Sequence, residues 1–296
     1  MANDNLERRQ FGSTDDTISP IGFGGVIITN TYPDVAARYV SEAVDRGVNY
    51  FDVSPFYGNA QERLGPALAP YRDDCFLACK TRERTAEGAQ QDLEESLRLL
   101  QTDRFDLYQM HSLQSVEKDV NIALGDGGAI ETFVKAREQG KIRHLGFSAH
   151  TEEAALAAMD RFDFDSVLFP VNYFMWTNDG FGQTVIERAR EKGMAVLALK
   201  SLAYRRWTKE EFKSFFREWP KCWYKPLDQR EDIEAALSFT LSRPVDAAIP
   251  PGHWDLFRIC LELAESGAFR EGSDPTSDPL AEIAAETTPL FEKTPA

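Results

Sequence analysis

The stretch NYFDVSPFYGNAQERLG (49–65) begins as a strand, passes through a loop and ends as the start of a helix. The aromatic residues Tyr50 and Phe51 favour an extended backbone, and Pro55 ends it. The strand carries a carboxylate, Asp52, close to its end. A charge at the end of a buried strand is costly unless an opposite charge pairs with it. The sequence therefore predicts a cationic partner for Asp52 on a neighbouring strand.

The same unit of strand, loop and helix recurs along the whole chain. Apolar runs alternate with segments of helical periodicity, as in Leu93, Leu97 and Leu100, and this alternation indicates parallel strands joined by right-handed crossovers. Eight such runs predict an α/β protein with a closed (β/α)8 TIM barrel. The predicted strands lie at 19–25, 49–53, 75–80, 105–111, 143–149, 166–172, 194–200 and 246–251.

A doubly wound Rossmann sheet is the alternative that this alternation leaves open. That fold requires the motif G-x-G-x-x-G after its first strand. The stretch IGFGGVII (21–28) lacks the last glycine in register, and no other stretch supplies the motif. The sequence therefore favours the barrel, as one domain over 1–296. We further expect an N-terminal β-hairpin to cover the bottom of the barrel.

Residues 203–230 form an insertion after the seventh strand, too long for a simple crossover. Thr208 and Glu211 have the spacing of a capping box, which predicts the start of a helix. Aromatic residues follow at the spacing of an amphipathic helix: Phe212, Phe215, Phe216 and Trp219. The insertion packs against the barrel or forms a lid over its active face, and the sequence leaves both open. The tail, 273–296, is rich in proline and acidic residues.

Composition excludes several classes of function. The formal net charge of −15 argues against a nucleic-acid partner, because the acidic field would repel phosphates. No apolar run has the length of a membrane span, and the first ten residues lack a signal peptide's apolar core. The four cysteines have no metal-ligand spacing, so we expect no metal site and interpret Cys75 and Cys79 as buried free thiols. A cytoplasmic location is the resulting expectation.

The ends of the predicted strands carry the residues that could perform chemistry, because parallel barrels place their active sites there. Lys80 ends the third strand and is the expected partner of Asp52. An ammonium near the phenol of Tyr57 favours phenolate and should lower the pKa of that tyrosine, which could then donate and recover a proton. His111 ends the fourth strand and could orient a substrate oxygen by a hydrogen bond.

The chain resembles the aldo-keto reductase family in stretches that follow the family's order. These are IGFGG (21–25), NYFDVSPFYGNAQERLG (49–65), LACKT (77–81), DLYQMH (106–111), GKIRHLGFSAH (140–150) and AIPPG (248–252). The resemblance implies a catalytic tetrad at Asp52, Tyr57, Lys80 and His111. It implies an oxidoreductase that moves a hydride between a nicotinamide and a small carbonyl or alcohol substrate, with Tyr57 as general acid. The physiological substrate, the direction and the oligomeric state stay open.

The cofactor positions match the family less well than the tetrad does. The resemblance implies cofactor contacts at Gly25, Val26, Asp52, Ser148, Asn172, Lys200, Ser201, Leu202, Gly252, Arg258 and Glu262. Apolar residues stand where the family has polar or aromatic ones: Ala149, Leu168 and Leu199. A lysine of the family's 2′-phosphate site is missing, so Arg258, with His253, is the expected anchor. NADP(H) is favoured over NAD(H).

Aromatic residues are the candidates for an apolar substrate pocket. They are Phe56, Tyr173, Phe174, Trp176, Trp207 and Trp223. Two other functions remain open from the sequence. The apolar cofactor positions suggest a cofactor-binding sensor or regulatory protein with little turnover, and Lys80 at a strand end suggests Schiff-base chemistry in a lyase or isomerase.

Overall fold

The computed structural model describes residues 6–211, 218–267, 280–284 and 287–293. Eight parallel strands follow one another in chain order, and a bridge between Ile21 and Ala248 joins the two ends of the sheet. The predicted TIM barrel is confirmed. Two short antiparallel pairs lie outside this barrel. In chain order, the barrel strands and these pairs together are β1 (Arg9–Gln10), β2 (Thr17–Ile18), β3 (Phe23–Gly24), β4 (Tyr50–Asp52), β5 (Phe76–Thr81), β6 (Phe105–Leu113), β7 (Ile142–Ala149), β8 (Ser166–Pro170), β9 (Ala195–Leu199), β10 (Ala203–Arg206), β11 (Tyr224–Pro226) and β12 (Ala247–Ile249).

The barrel consists of β3 to β9 and β12, and helices surround it. Local signals set several helix starts. Pro33 occupies the first turn of its helix, and the side chains of Thr85 and Thr151 cap two others. The helices are α1 (Pro33–Asp45), α2 (Ala60–Leu68), α3 (Ala86–Leu99), α4 (Asn121–Ala123), α5 (Ala129–Glu138), α6 (Glu152–Arg161), α7 (Tyr173–Asp179), α8 (Gln183–Glu191), α9 (Arg230–Leu241), α10 (Trp254–Glu265) and α11 (Leu280–Ala284).

The N-terminal hairpin covers one end of the barrel, as expected. Its strands β1 and β2 pair antiparallel, and Phe11 between them is fully buried. The Phe11 ring lies 4.8 Å from the Phe76 ring, in an apolar cluster that also contains Tyr50 and Leu107. These residues come from the barrel strands β4, β5 and β6, so the hairpin seals the barrel interior from below.

The insertion contains a hairpin that the sequence did not predict, because β10 and β11 pair antiparallel across it. The capping box is confirmed: the Thr208 amide donates to the Glu211 carboxylate at 3.2 Å, and the Glu211 amide donates to the Thr208 hydroxyl at 3.3 Å. The aromatic helix that this box would start falls on 212–217, outside the described residues.

The insertion contacts the loops that follow the first and last barrel strands. Lys221 Nζ donates to the Ile27 carbonyl at 2.6 Å, and the Trp219 ring lies 4.6 Å from the His253 ring. The insertion therefore bridges the β3 and β12 sides of the barrel mouth.

All four cysteines are buried and free, which confirms the expectation for Cys75 and Cys79. Within the described ranges, we find no helix of the length and apolarity needed to cross a bilayer.

Candidate active site

The carboxylate of Asp52 has the cationic partner that the sequence predicted. Lys80 on β5 forms an ion pair with Asp52 at the end of β4, and both side chains are buried. Burial alone would lower the pKa of Lys80, but the charge of Asp52 and its hydrogen bond raise it above its ordinary value. The ammonium is therefore fixed in the charged state at the barrel mouth.

Two further residues hold the same carboxylate. The Tyr50 hydroxyl and the Gln109 side-chain amide donate to Asp52 Oδ2 at 3.3 Å and 3.2 Å. Neither residue was predicted from the sequence. Each stands two residues before a tetrad member, Asp52 or His111, and alternate residues of a strand face the same side. That period of two was the signal that could have identified them.

Tyr57 lies in the loop after β4, beside the ion pair. Lys80 Nζ is 5.6 Å from the centre of its ring. Burial raises the pKa of Tyr57 above its ordinary value, the charge of Lys80 opposes this rise, and the charge of Asp52 adds to it. The predicted lowering of this pKa is therefore wrong, because desolvation outweighs the ammonium. The phenol stays protonated at neutral pH and is available as a proton donor.

His111 completes the set from β6. Its ring meets the Tyr57 ring edge-on at 5.9 Å, and its Nδ1 lies 3.0 Å from the Ser54 hydroxyl. Burial, followed by the charges of Lys80 and Arg82, lowers the pKa of His111 to about 2, so the imidazole is neutral. Ser54, two residues after Asp52, is another contact that was not predicted from the sequence. Within the described part of the chain, Nε2 of His111 has no hydrogen-bond partner.

The end of β7 carries Ser148, one of the expected cofactor residues. Its hydroxyl accepts a hydrogen bond from the Ser112 amide at 2.7 Å. Ser112 has φ of 61°, an uncommon value for a residue with a side chain, and lies where the register of β6 and β7 shifts. The Ser112 hydroxyl in turn lies 3.0 Å from His150 Nδ1. Ser148 is buried, and among the described residues its hydroxyl accepts this bond without donating one, which leaves its O–H proton for a ligand.

The loop after β9 places Lys200, Ser201 and Leu202 together. Ser201 is fully buried, and its hydroxyl has no hydrogen-bond partner within the described ranges. A buried hydroxyl of this kind needs a hydrogen-bond partner, which a water or a bound ligand can supply. Lys200 Nζ lies 5.3 Å from the Trp223 ring and 5.4 Å from the Tyr224 ring. Burial lowers the pKa of Lys200 to about 8.

The side chain of Asn172 is already engaged within the protein. Its Nδ2 donates to the carbonyls of Lys200 and Ala203 at 3.0 Å and 2.7 Å, while its Oδ1 accepts the amides of Phe174 and Met175 at the start of α7. These contacts favour a role in positioning the β9 loop over direct contact with a cofactor.

The loops after β3 and β12 approach each other closely at Gly252. A Cβ atom at this position would lie 2.4 Å from Val26 Cγ1, so only glycine fits. Gly25 is similarly restricted, since its Cβ would lie 2.8 Å from Val53 Cγ2. The expected contacts Gly25, Val26 and Gly252 thus lie on one side of the mouth.

Arg258 and Glu262 lie on α10, where both form ion pairs with neighbouring helices. Arg258 Nε is 3.4 Å from Glu42 on α1, and Glu262 accepts from Arg230 on α9 at 2.8 Å. Neither pair involves a residue of the barrel mouth. The structure therefore does not bring these two expected cofactor residues to the tetrad.

The aromatic pocket candidates divide into two groups. Phe56 is 47% exposed beside His111, and Trp223 is 50% exposed beside Lys200, so both are available to a ligand. The other candidates pack within the protein: Tyr173 and Phe174 are buried, Trp176 packs on Phe239, and Trp207 donates to the Cys222 carbonyl.

A family model described as the aldo/keto reductase family matches residues 20–225, most of the chain. The chain belongs to the aldo/keto reductase family. The matched range contains all four tetrad positions and most of the insertion.

Individual relatives match this chain at low sequence identity and over part of their length. The chain is 29% identical to an uncharacterised oxidoreductase, YqkF, of Bacillus subtilis over 49% of each protein. It is 27% identical to L-galactose dehydrogenase of Arabidopsis thaliana, over 67% of this chain and 66% of the relative. The matches thus span between half and about two thirds of these relatives. The solved holo form of the aldo-keto reductase AKR11C1 from Bacillus halodurans has the same fold, with a TM-score of 0.70 at 22% identity over 97% of this chain and 98% of that one.

Proposed function

We propose that this protein is a nicotinamide-dependent oxidoreductase that reduces a small carbonyl compound, or oxidises the corresponding alcohol. The observation that carries the proposal is the convergence of Tyr57, the Lys80–Asp52 ion pair and His111 at the ends of β4, β5 and β6. The function of the curated relatives supports it, since their names include a dehydrogenase and several reductases.

Each of the four side chains has a distinct role in the proposed reaction. Tyr57 donates its phenolic proton to the carbonyl oxygen, and the Lys80 ammonium stabilises the phenolate that this step leaves. Asp52 fixes the ammonium by the ion pair. A hydrogen bond from the Ser54 hydroxyl to Nδ1 of His111 would leave a proton on Nε2, which then donates to the carbonyl oxygen. When bound, the nicotinamide supplies the hydride that the carbonyl carbon accepts.

The residues at the end of β9 fit the diphosphate of such a cofactor. The unpartnered Ser201 hydroxyl and the Lys200 ammonium would hold the phosphate oxygens, and Ser148 would hold the carboxamide of the nicotinamide. NADP(H) is the proposed cofactor. Arg258 would have to leave Glu42 to bind a 2′-phosphate, so Arg258→Met tests whether it sets the preference between NADPH and NADH.

The decisive experiment compares Tyr57→Phe with the unchanged protein. We expect carbonyl reduction with NADPH to fall by about a hundredfold or more, because the proton donor is lost. Quenching of tryptophan fluorescence by NADPH should be unchanged, since the phenol does not hold the cofactor. A variant as active as the unchanged protein would exclude the acid role. Binding of neither NADPH nor NADH would exclude the oxidoreductase proposal.

A cofactor-binding sensor is the second candidate. It is favoured by the apolar residues Ala149, Leu168 and Leu199, of which Ala149 and Leu168 are buried. A sensor should bind NADPH tightly, and no aldehyde of a broad panel should oxidise the bound NADPH. Turnover of a single aldehyde at a useful rate would exclude it.

A further inference from the structure

Arg82 is a cation at the barrel mouth that the mechanism does not use. It follows β5 by one residue and lies over the ring of Phe56, with the guanidinium carbon 4.3 Å from the ring centre. Phe56 in turn meets the His111 ring edge-on at 6.1 Å. The side chain of Arg82 is thereby held beside the group that we expect to contact the substrate carbonyl.

The charge of Arg82 affects the pKa of three side chains of the site. It contributes to the lowered pKa of His111 and of His150, and it opposes the raised pKa of Tyr57. These three side chains come from the loop after β4, from β6 and from the residue after β7, so the guanidinium lies within electrostatic range of three sides of the mouth.

Arg82 has no carboxylate partner among the residues that the structure describes, although the chain carries 48 acidic residues against 33 basic ones. Its neighbour Arg84, by contrast, pairs with Asp119 and donates to the His111 carbonyl at 2.8 Å. The adjacent carboxylate of Glu83 is turned towards Gly88. In a protein of net charge −15, an unneutralised arginine beside the reacting groups provides a site for an anion.

We propose that Arg82 binds an anionic group of the substrate, so that the enzyme prefers carbonyl compounds carrying a carboxylate or a phosphate over neutral ones. The inference rests on the proposed oxidoreductase function and specifies its substrate class. A planar guanidinium binds both anions through paired N–H donors, which makes Arg82 a specificity-determining residue.

Matched substrate pairs test this proposal. The first pair is 4-carboxybenzaldehyde and its neutral methyl ester, and the second is glyceraldehyde 3-phosphate and glyceraldehyde. We expect higher kcat/KM for the anionic member of at least one pair, and that pair identifies the anion. Arg82→Met should lower kcat/KM for the anionic member by about tenfold or more, mainly through KM, with little effect on the neutral one. Arg82→Lys should restore part of the preference.

Two further variants serve as controls. Arg38→Met removes another exposed arginine, on the outer helix α1, and should leave both substrate pairs unchanged. Lys200→Met tests a second cation of the mouth, one that is not paired with a carboxylate among the described residues. Loss of the anionic preference in Lys200→Met but not in Arg82→Met would overturn the proposal, as would an equal effect of Arg82→Met on charged and neutral substrates.

A binding measurement separates this inference from the proposed function. Calorimetric titration with 4-nitrobenzoate and with neutral 4-nitrobenzamide needs no turnover. Weaker binding of the benzoate alone in Arg82→Met supports the anion site, even if no aldehyde is reduced and the oxidoreductase proposal fails. Equal binding of both probes, unaffected by Arg82→Met, overturns the anion site, even if neutral aldehydes are reduced.

Discussion

Asp52 and Lys80 illustrate how a single ion pair joins stability to function at the barrel mouth. Both are buried, so each charge needs the other to offset its desolvation. The pair also receives hydrogen bonds from Tyr50 and Gln109, which limits its freedom to move. The site's electrostatics are thus fixed before any ligand arrives, which is the arrangement that proton transfer requires.

Removing one partner of this pair should destabilise the protein. In Asp52→Asn the ammonium of Lys80 stays buried without a counter-charge, and we expect the free energy of unfolding to fall by about 3 kcal/mol. Urea unfolding measures this change. The double variant Asp52→Asn/Lys80→Met is the control and should be more stable than Asp52→Asn alone, because no unpaired charge remains. Equal stability of Asp52→Asn and the unchanged protein would contradict the prediction.

His111 should make folding stability depend on pH. Its pKa is lowered from 6.5 to about 2, so between these values the unfolded chain binds a proton that the folded chain does not. Stability should therefore decrease as the pH falls below 6.5, by about 1.4 kcal/mol per pH unit for one such site. Urea unfolding at several pH values down to about pH 5 measures the slope.

The variant His111→Gln isolates that contribution, because glutamine does not titrate. Below pH 6.5, the free energy of unfolding of this variant should change less steeply with pH, because the unfolded chain takes up one proton fewer. His150, whose pKa burial lowers to about 3, should give a similar reduction in His150→Gln. An unchanged slope in both variants would mean that these imidazoles are not desolvated in the folded protein.

At the scale of elements, the sequence predicted which barrel strands form better than it predicted where each strand begins and ends. All eight barrel strands were expected, because apolar runs between helical segments leave few other topologies. The first was predicted at 19–25 but pairs as a strand only over Phe23–Gly24, since the following glycine opens a helical turn. β6 extends two residues beyond the prediction, past His111, through the bulge at Ser112. Such local irregularities depend on neighbouring strands and have no signal in the run itself.

The hairpin of β10 and β11 was not predictable for a related reason. Its strands lie on either side of the predicted aromatic helix, so their pairing is decided by tertiary contacts. The prediction of a lowered pKa for Tyr57 was wrong for the same reason, since it also depends on tertiary contacts. The sequence identifies the neighbouring ammonium, but only the packed structure gives the degree of burial that outweighs it.

The contact between Lys221 and Ile27 should hold the insertion against the barrel. In Lys221→Met the hydrogen bond to the Ile27 carbonyl is lost, and chymotrypsin should cleave within 203–230 several times faster. Lys209→Met is the matched control, because Lys209 is an exposed lysine of the same insertion. Protection of Lys221→Met by added NADPH would support the lid interpretation over simple packing. Equal cleavage of both variants would show that the contact does not restrain the insertion.

At the scale of the whole molecule, the reacting groups and the hairpin that closes the barrel lie at opposite ends of the strands. The tetrad lies at the carboxyl ends of the strands, whereas Phe11 and the N-terminal hairpin close the opposite end. The sequence predicted this division, because the strand ends and their titratable residues follow from chain order alone. The outward ion pairs of Arg258 and Glu262 were not predictable, since the rotation of α10 about its axis is set by packing against α1 and α9.

Truncating the hairpin's buried ring should therefore lower stability and spare activity. Phe11 is fully buried against Phe76, and in Phe11→Ala the cavity should lower the free energy of unfolding by about 3 to 5 kcal/mol. Urea unfolding measures that loss, while kcat/KM with a reducible aldehyde, measured well below the unfolding temperature, should stay close to that of the unchanged protein. Phe11→Leu is the control and should lose much less, because most of the apolar volume remains. A parallel loss of kcat/KM in the folded Phe11→Ala protein would mean that the two ends of the barrel are coupled, and that the hairpin also positions the tetrad through β4 and β5.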